Sequence, residues 1–232
     1  MFFRQNNITN GRFELKYIAN SSNFFLIERW IKQNFHPINI AFPKRKIHNL
    51  YFDNLDLECY EDNLSGISKR SKLRFRWFGN LGLVNNGTLE IKKKESSIGF
   101  KNRLQIKEKF SFKNKKWRDI KKIIKSNLQK NPEFDFFFDF YFMPILINSY
   151  EREYYHIKGV DMRVTIDNDY KVFPQLQKSR VNTSSYQAFE ELRIIEIKFP
   201  VKNLKWVKSL IEGLPILRTR SSKYVIGLEA LL

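Results

Sequence analysis

The chain has 232 residues, of which 42% are hydrophobic and 16% aromatic, and this is enough to build a packed core and excludes a wholly disordered protein. Lysine and arginine outnumber aspartate and glutamate by 42 to 24, so the formal net charge is +18. An acidic partner is expected: nucleic acid, an anionic membrane or a phosphate-rich small molecule. The single cysteine, Cys59, excludes an internal disulfide and a cysteine-rich zinc site.

The sequence contains no segment that is typical of a membrane span. Residues 1–12 lack the apolar run of a signal peptide. The most apolar stretch, residues 134–147, is interrupted by Asp135, Asp139 and Pro144 and is too short to cross a bilayer core of roughly 30 Å. Since no repeat or flexible linker divides the chain, we expect a cytoplasmic protein with a single domain over residues 1–232.

Alternation of polar and apolar residues predicts seven strands, because successive side chains of a strand point to opposite faces of its sheet. Apolar residues at helical spacing predict three helices between them, the first capped by Ser21 or Ser22 and the third ending near Gly213. The segment 168–185 has no clear period and is expected to be a loop. In chain order the predicted elements are a strand at 12–17, a helix at 21–34, strands at 72–77, 89–92 and 103–110, a helix at 117–128, strands at 150–155 and 163–167, the loop, a strand at 192–199 and a helix at 206–214.

The polar faces of several predicted strands are strongly charged. In 72–77, Lys72, Arg74 and Arg76 share one face and apolar side chains occupy the other. For a single strand the simplest interpretation is a face that looks into water. Because the pattern recurs and the opposite faces need cover from helices, it favours a closed barrel with a charged lumen. A glutamate and a lysine share a face in three further strands, as Glu14 with Lys16, Glu90 with Lys92, and Glu196 with Lys198.

A lumen lined by many cations repels itself unless an anion enters, so the pattern predicts a polyanionic ligand. Arginine offers paired N–H donors to phosphate oxygens and lysine offers a point charge. The alternation by itself indicates Lys72 and Lys198 as ligand-binding residues. The carboxylates of Glu14, Glu90 and Glu196 suit a hard divalent cation that bridges protein and phosphate.

Eight short motifs follow one another along nearly the whole chain: Arg12-Phe-Glu-Leu-Lys-Tyr17, Tyr51-Phe-Asp53, Lys72-Leu-Arg-Phe-Arg-Trp-Phe-Gly79, Leu89-Glu-Ile-Lys92, Tyr150-Glu-Arg152, Arg163-Val-Thr-Ile-Asp167, Glu196-Ile-Lys198 and Ser222-Lys-Tyr224. In this order they resemble the VTC (vacuolar transporter chaperone) domain, the polyphosphate polymerase branch of the triphosphate tunnel metalloenzymes. The ExExK signature of the related CYTH triphosphatases is absent, because Arg12 stands where its first glutamate would be. This departure favours the VTC branch.

The resemblance implies an α+β fold that is mainly β: a closed antiparallel β-barrel tunnel with a charged lumen and helices packed outside, as in triphosphate tunnel metalloenzymes and CYTH-like proteins. It also implies a phosphotransferase that uses Mn²⁺ or Mg²⁺ to transfer the γ-phosphate of ATP to phosphate or to a polyphosphate chain. Glu196 takes the position of the metal-binding carboxylate. By the same resemblance, the catalytic residues are the basic side chains of Arg74, Arg76, Lys92, Arg152 and Arg163, which would bind the phosphates. The substrate-binding residues are Lys16, Lys101, Tyr150, Arg220, Ser222 and Lys223.

The sequence leaves three other functions open. A hydrolase of the same fold would cleave tripolyphosphate or a nucleoside triphosphate, and a binding module would hold polyphosphate or an RNA 5′ triphosphate without turnover. A general RNA-binding barrel would cluster its cations with glycine in loops, whereas here they alternate along strands, so we expect no nucleic-acid partner. No P-loop motif is present, and the three scattered histidines form no metal-binding pair.

Overall fold

The computed structural model describes residues 12–34, 38–95, 98–157, 161–219 and 222–232. Within these ranges the strands are β1 (Arg12–Ala19), β2 (Ile38–Asp53), β3 (Lys69–Phe78), β4 (Leu83–Val84), β5 (Gly87–Glu95), β6 (Ile98–Ile106), β7 (Phe110–Ser111), β8 (Met143–Ile157), β9 (Met162–Pro174), β10 (Gln187–Phe189) and β11 (Arg193–Pro200). The helices are α1 (Ser21–Asn34), α2 (Glu58–Leu64), α3 (Trp117–Ser126), α4 (Pro132–Phe140), α5 (Leu204–Ile211) and α6 (Lys223–Glu229).

One large sheet dominates the structure, in the strand order β1-β11-β9-β8-β2-β3-β5-β6, with β10 paired to β9. A second sheet consists of β4 and β7. Among the described residues no sheet closes into a barrel, so the mainly β, antiparallel fold is confirmed but the closed tunnel is not. None of the described helices is long and apolar enough to cross a membrane.

The chain divides into two compact units. The first comprises Met1–Arg45, Glu151–Tyr170 and Phe189–Ser221, and the second comprises Lys46–Tyr150, Lys171–Ala188 and Ser222–Leu232. Strands β2, β8 and β9 each contribute residues to both units. The predicted single domain over residues 1–232 stays a prediction.

In the first unit, one face of the β1-β11-β9 sheet is apolar and is covered by helices. Leu15, Ile197 and Val164 lie on this face, one from each strand, and are buried. Ile27 of α1 and Val207 of α5 are fully buried in the same core cluster. The opposite face of these strands carries the charged side chains that the alternation predicts.

In the second unit, the apolar face of β3 and β5 packs on an aromatic cluster. The ring centroid of Trp77 lies 5.8 Å from that of Phe75 and 5.1 Å from that of Phe112. Trp117, Ile120 and Ile124 on α3 are buried, which confirms the helix predicted from their spacing. Here too the charged residues of the strands share the other face.

Some elements differ from the sequence prediction. The strand predicted at 103–110 ends at Ile106 as part of β6, and β7 begins separately at Phe110. The loop predicted over 168–185 is wrong at its start, because β9 continues to Pro174. The helix predicted at 206–214 is α5, which runs from Leu204 to Ile211. Elements absent from the prediction are β2, the first half of β8, the short strands β4 and β10, and the helices α2, α4 and α6.

Candidate functional site

The charged side of β3, β5 and β6 in the second unit is organised in cross-strand rows, and we call it the basic face. The register places Lys72 opposite Lys92 and Lys92 opposite Lys101. The next row along the strands is Arg74, Glu90 and Arg103. Within these three strands, the two rows therefore carry five cations and one carboxylate.

Like charges directly opposite each other disfavour the pairing of strands, and the lysine row places three of them side by side. The pKa of Lys101 is lowered mainly by burial; the charge of Glu90 raises it, and those of Arg103, Arg74 and Arg76 lower it. An anion that enters this face would relieve the repulsion.

Glu90 is the counter-charge of the second row. The residue is 1% exposed, Arg74 Nε donates to Oε2 at 2.5 Å, and Arg103 Nε donates to Oε1 at 3.2 Å. Burial by itself would raise the pKa of Glu90, but the charges of Arg74 and Arg76 and the hydrogen bond from Arg74 outweigh it and lower the pKa to about 2. Glu90 therefore fixes the two arginines in place and stays charged.

Arg76, which lies one row further along β3 and opposite Thr88, is oriented by a buried amide pair. Its Nε donates to Asn49 Oδ1 at 2.7 Å, and its Nη2 donates to the hydroxyl of Tyr150 at 3.4 Å. Asn49 Nδ2 in turn donates to Asn148 Oδ1 at 2.7 Å, and both asparagines are fully buried. These asparagines are not among the residues predicted from the sequence, although a buried asparagine within a strand is unusual enough to be a signal.

The N-terminal end of α6 also contributes to the basic face. Lys72 Nζ donates to Ser222 Oγ at 2.7 Å, and Lys223 Nζ lies 5.0 Å from the ring centroid of Tyr150. These contacts bring the last sequence motif next to the residues predicted from β3 and β8.

The first unit holds a separate charged set on β1 and β11. Lys16 Nζ lies 2.9 Å from Glu14 Oε1, and Lys198 Nζ lies 2.9 Å from Glu196 Oε2. Lys16 is also 3.9 Å from Glu196, and Lys198 is 3.8 Å from Glu14. Burial by itself would raise the pKa of Glu196, but the charges of Lys198, Lys16 and Arg152 outweigh burial and hold the pKa well below its ordinary value.

Arg152 and Arg163 lie in the same unit. Arg152 donates from Nε and Nη2 to the two carboxylate oxygens of Asp167, at 2.5 and 2.7 Å, in the forked geometry that arginine favours. Asp167 is 1% exposed and is a further residue that the sequence analysis did not select. Arg163 lies opposite Lys198 in the register, and its side chain is exposed.

The predicted site residues thus fall into two sets. Arg220 lies outside the described residues. The second unit brings together Lys72, Arg74, Arg76, Glu90, Lys92, Lys101, Tyr150, Ser222 and Lys223, and the first unit contains Glu14, Lys16, Arg152, Arg163, Glu196 and Lys198.

Glu14 and Glu196 have the chemistry of a divalent cation site. In the part of the chain that the structure describes, no group of three or more His, Cys, Asp or Glu side chains could hold a metal ion. Mg²⁺, however, is commonly held by one or two carboxylates together with substrate phosphates. The side chains of both glutamates lie within 3.9 Å of the ammonium groups of Lys16 and Lys198, which places hard oxygen ligands close together, so this pair fits a divalent cation.

The sequence model of the VTC domain family matches residues 11–232, so the chain belongs to the VTC domain family. This match confirms the resemblance seen in the motifs. No curated protein matches the chain.

One solved structure shows the same fold at low identity, and two others are more weakly similar. The putative adenylyl cyclase HpAC1 from Hippeastrum, described as having a dominant triphosphatase activity, superposes with a TM-score of 0.52 at 13% identity, over 95% of this chain and 96% of that chain. A putative adenylate cyclase from Vibrio parahaemolyticus has a TM-score of 0.49 at 12% identity, over 93% and 98%. A chain of the Schizosaccharomyces pombe Mediator head module has a TM-score of 0.46 at 12% identity, over 89% and 97%.

Proposed function

We propose that the basic face binds a triphosphate or polyphosphate chain, and that the protein transfers the γ-phosphate of ATP to phosphate or to a growing polyphosphate chain with the help of a divalent cation. The observation that carries this proposal is the row of Lys72, Lys92 and Lys101, three like charges held side by side by the strand register. A chain of phosphates is a ligand with regularly spaced negative charges that matches such a row.

The residues of the basic face would supply charge and position. The bond between the γ-phosphorus and the bridging oxygen of ADP breaks, and a bond from γ-phosphorus to an oxygen of the acceptor phosphate forms. The acceptor oxygen is already anionic, so no general base is needed. Arg74 and Arg76, held by Glu90 and Asn49, offer N–H donors to the transferred group, where charge stabilisation is the main contribution of a protein to this reaction.

The carboxylates of Glu14 and Glu196 would hold Mn²⁺ or Mg²⁺. Such an ion, when bound, polarises phosphoryl oxygens as a Lewis acid. In the protein alone these carboxylates contact Lys16 and Lys198, so a bound cation would replace the two ammonium groups as their counter-charge. We assign Glu90 to holding Arg74 and Arg103 instead of to the metal, since each of its oxygens already accepts from an arginine.

The second candidate function is hydrolysis of a triphosphate, with water as the acceptor. It is favoured by the likeness of fold to HpAC1, whose described activity is that of a triphosphatase. The two functions would use the same binding residues and differ only in the acceptor.

ATP turnover with Mn²⁺ tests the proposal, with long-chain polyphosphate and free phosphate resolved on a gel. We expect polymer from the wild-type protein and a loss of about tenfold to a hundredfold in kcat/KM for Lys92→Met, the size of one charged hydrogen bond in the transition state. Glu196→Gln should lose activity in a way that more Mn²⁺ partly restores. Lys122→Met, the same exchange at an exposed position of α3, is the matched control and should keep full activity.

Free phosphate without polymer would establish the hydrolase in place of the polymerase. Binding of tripolyphosphate without any turnover would leave a binding module. If Lys92→Met and Lys122→Met behaved alike, the basic face would not be the site.

A further inference from the structure

Asp53, at the end of β2 in the second unit, is a fully buried carboxylate with several hydrogen-bond donors around it. Its Oδ1 accepts from the backbone N–H groups of Asn54 at 2.9 Å and Cys59 at 3.0 Å, and its Oδ2 accepts from the hydroxyl of Tyr224 at 2.6 Å. A carboxylate is costly to bury unless such bonds compensate it. Asp53 thus connects β2 to the first turn of α2 and to α6.

Tyr224 is held by its ring as well as by its hydroxyl. Its ring stacks on that of Tyr51, with centroids 5.2 Å apart, and Lys72 Nζ lies 5.9 Å from its centroid. Tyr51 is opposite Arg74 in the register of β2 and β3. Tyr224 is therefore fixed directly against the basic face without presenting a charge to it.

The two residues before Tyr224 are the ones that reach the basic face. Ser222 is the N-cap residue of α6, yet its side chain makes no cap hydrogen bond and instead accepts from Lys72. An N-cap serine normally stabilises its own helix by bonding a backbone N–H. A helix of seven residues is marginal without tertiary contacts, so α6 depends on contacts such as that of Tyr224 with Asp53.

We propose that Asp53 and Tyr224 are positioning residues that anchor α6, and that through this anchor they hold Ser222 and Lys223 in the arrangement that binds a phosphate chain. The inference rests on the proposed function of the basic face. Asp53 ends the Tyr51-Phe-Asp53 motif and Tyr224 ends the Ser222-Lys-Tyr224 motif. The hydrogen bond between these two residues gives the two motifs a shared role.

A double-mutant cycle tests the inference, with the dissociation constant for tripolyphosphate measured by calorimetry in the presence of a chelator. Lys223→Met should weaken binding about tenfold in the wild-type background, as expected for the loss of one charged contact. Tyr224→Phe removes only the hydroxyl and should weaken binding about fivefold. In the Tyr224→Phe background, Lys223→Met should weaken binding by about threefold or less, because coupled residues are not additive.

Tyr141→Phe is the matched control. Tyr141 is also buried, and it stands at the C-terminal end of α4 instead of on α6. In its background the effect of Lys223→Met should remain about tenfold. An unchanged tenfold effect in the Tyr224→Phe background would overturn the positioning role while leaving the proposed function intact. Absence of tripolyphosphate binding by the wild-type protein would instead overturn the proposed function and this inference together.

Discussion

At the scale of single residues, Glu90 stabilises the basic face in the absence of a ligand. A buried charge is tolerated when it is paired and hydrogen-bonded, and removal of one partner exposes the full penalty of burying the other. Glu90 accepts from Arg74 and Arg103 and is almost completely buried. Its negative charge balances part of the positive charge of the basic face, and it lies in the row next to that of the three lysines.

We expect Glu90→Gln, which keeps the size of the side chain, to lower the free energy of unfolding by about 3 kcal/mol at pH 7, since breaking a buried ion pair has this order of cost. Urea unfolding measures the change. Glu95→Gln, at an exposed carboxylate of the same strand, is the control and should change stability by less than about 0.5 kcal/mol. Equal effects of the two exchanges would contradict the role given to Glu90.

The same residue gives a pH dependence with a definite sign. The pKa of Glu90 is lowered from 4.5 to about 2, so its contribution is complete above the unfolded-state pKa and is lost as the pH falls through the folded-state pKa. Wild-type stability should therefore fall between about pH 5 and pH 2, and the difference between wild type and Glu90→Gln should shrink over the same range. A difference that stays constant down to pH 2 would exclude the salt bridge as its source.

At the scale of elements, the close contact of β3 and β5 depends on Gly87. A Cβ atom at this position would lie 1.9 Å from Cζ of Phe75, whose ring is completely buried. The ring stacks on those of Trp77 and Phe110, so it cannot move aside without disturbing the aromatic cluster. The glycine is thus required by packing.

We expect Gly87→Ala to lower the free energy of unfolding by about 2–3 kcal/mol, the usual effect of overpacking a core. Gly99→Ala is the control, because Gly99 also lies in a strand but a Cβ there meets nothing within 4 Å. It should be neutral or slightly stabilising, as alanine loses less backbone entropy than glycine on folding. Both changes can be measured by thermal and urea unfolding; similar losses for both would show that strand propensity, not the contact with Phe75, matters.

Elements were predictable from sequence where one face is buried and the other is not. The alternation in β1, β3, β5, β9 and β11 is clear because charged or polar residues occupy one face of each strand and apolar residues occupy the other. In β2 the run 47–53 is buried throughout, and in β8 the run 145–148 is buried throughout, so the period of two disappears. Helices α2 and α6 have seven residues each, too few to show a helical period.

The site was predictable as a set of residue types but not as a set of contacts. Alternation and resemblance identified Arg74, Arg76 and Glu90, while the pairing of Glu90 with Arg103 and of Arg76 with Asn49 depends on cross-strand register. Register is set by turns and by the whole hydrophobic pattern, so no single strand contains it.

At the scale of the whole molecule, alternation could not decide whether the sheet closes. Closure depends on the tilt and stagger of all the strands, which is information beyond any one segment. The net charge of +18, by contrast, can be read directly and predicts self-repulsion that a polyanion relieves. The distribution of that charge, with three lysines in one cross-strand row, is the feature from which we propose a preference for a chain of phosphates.

We therefore expect tripolyphosphate to raise the Tm. At a concentration of about one hundred times its Kd, a ligand that binds only the folded state adds about 2.7 kcal/mol, which for a chain of this size corresponds to a rise of roughly 5–10 °C. Sodium chloride at equal ionic strength is the control for general screening, and orthophosphate tests the need for a chain. Differential scanning fluorimetry measures the shifts, and Lys92→Met should lose at least half of the rise with tripolyphosphate while Lys122→Met retains it. Equal shifts with tripolyphosphate and sodium chloride would mean that the charge acts only through screening, and the row of lysines would then need another explanation.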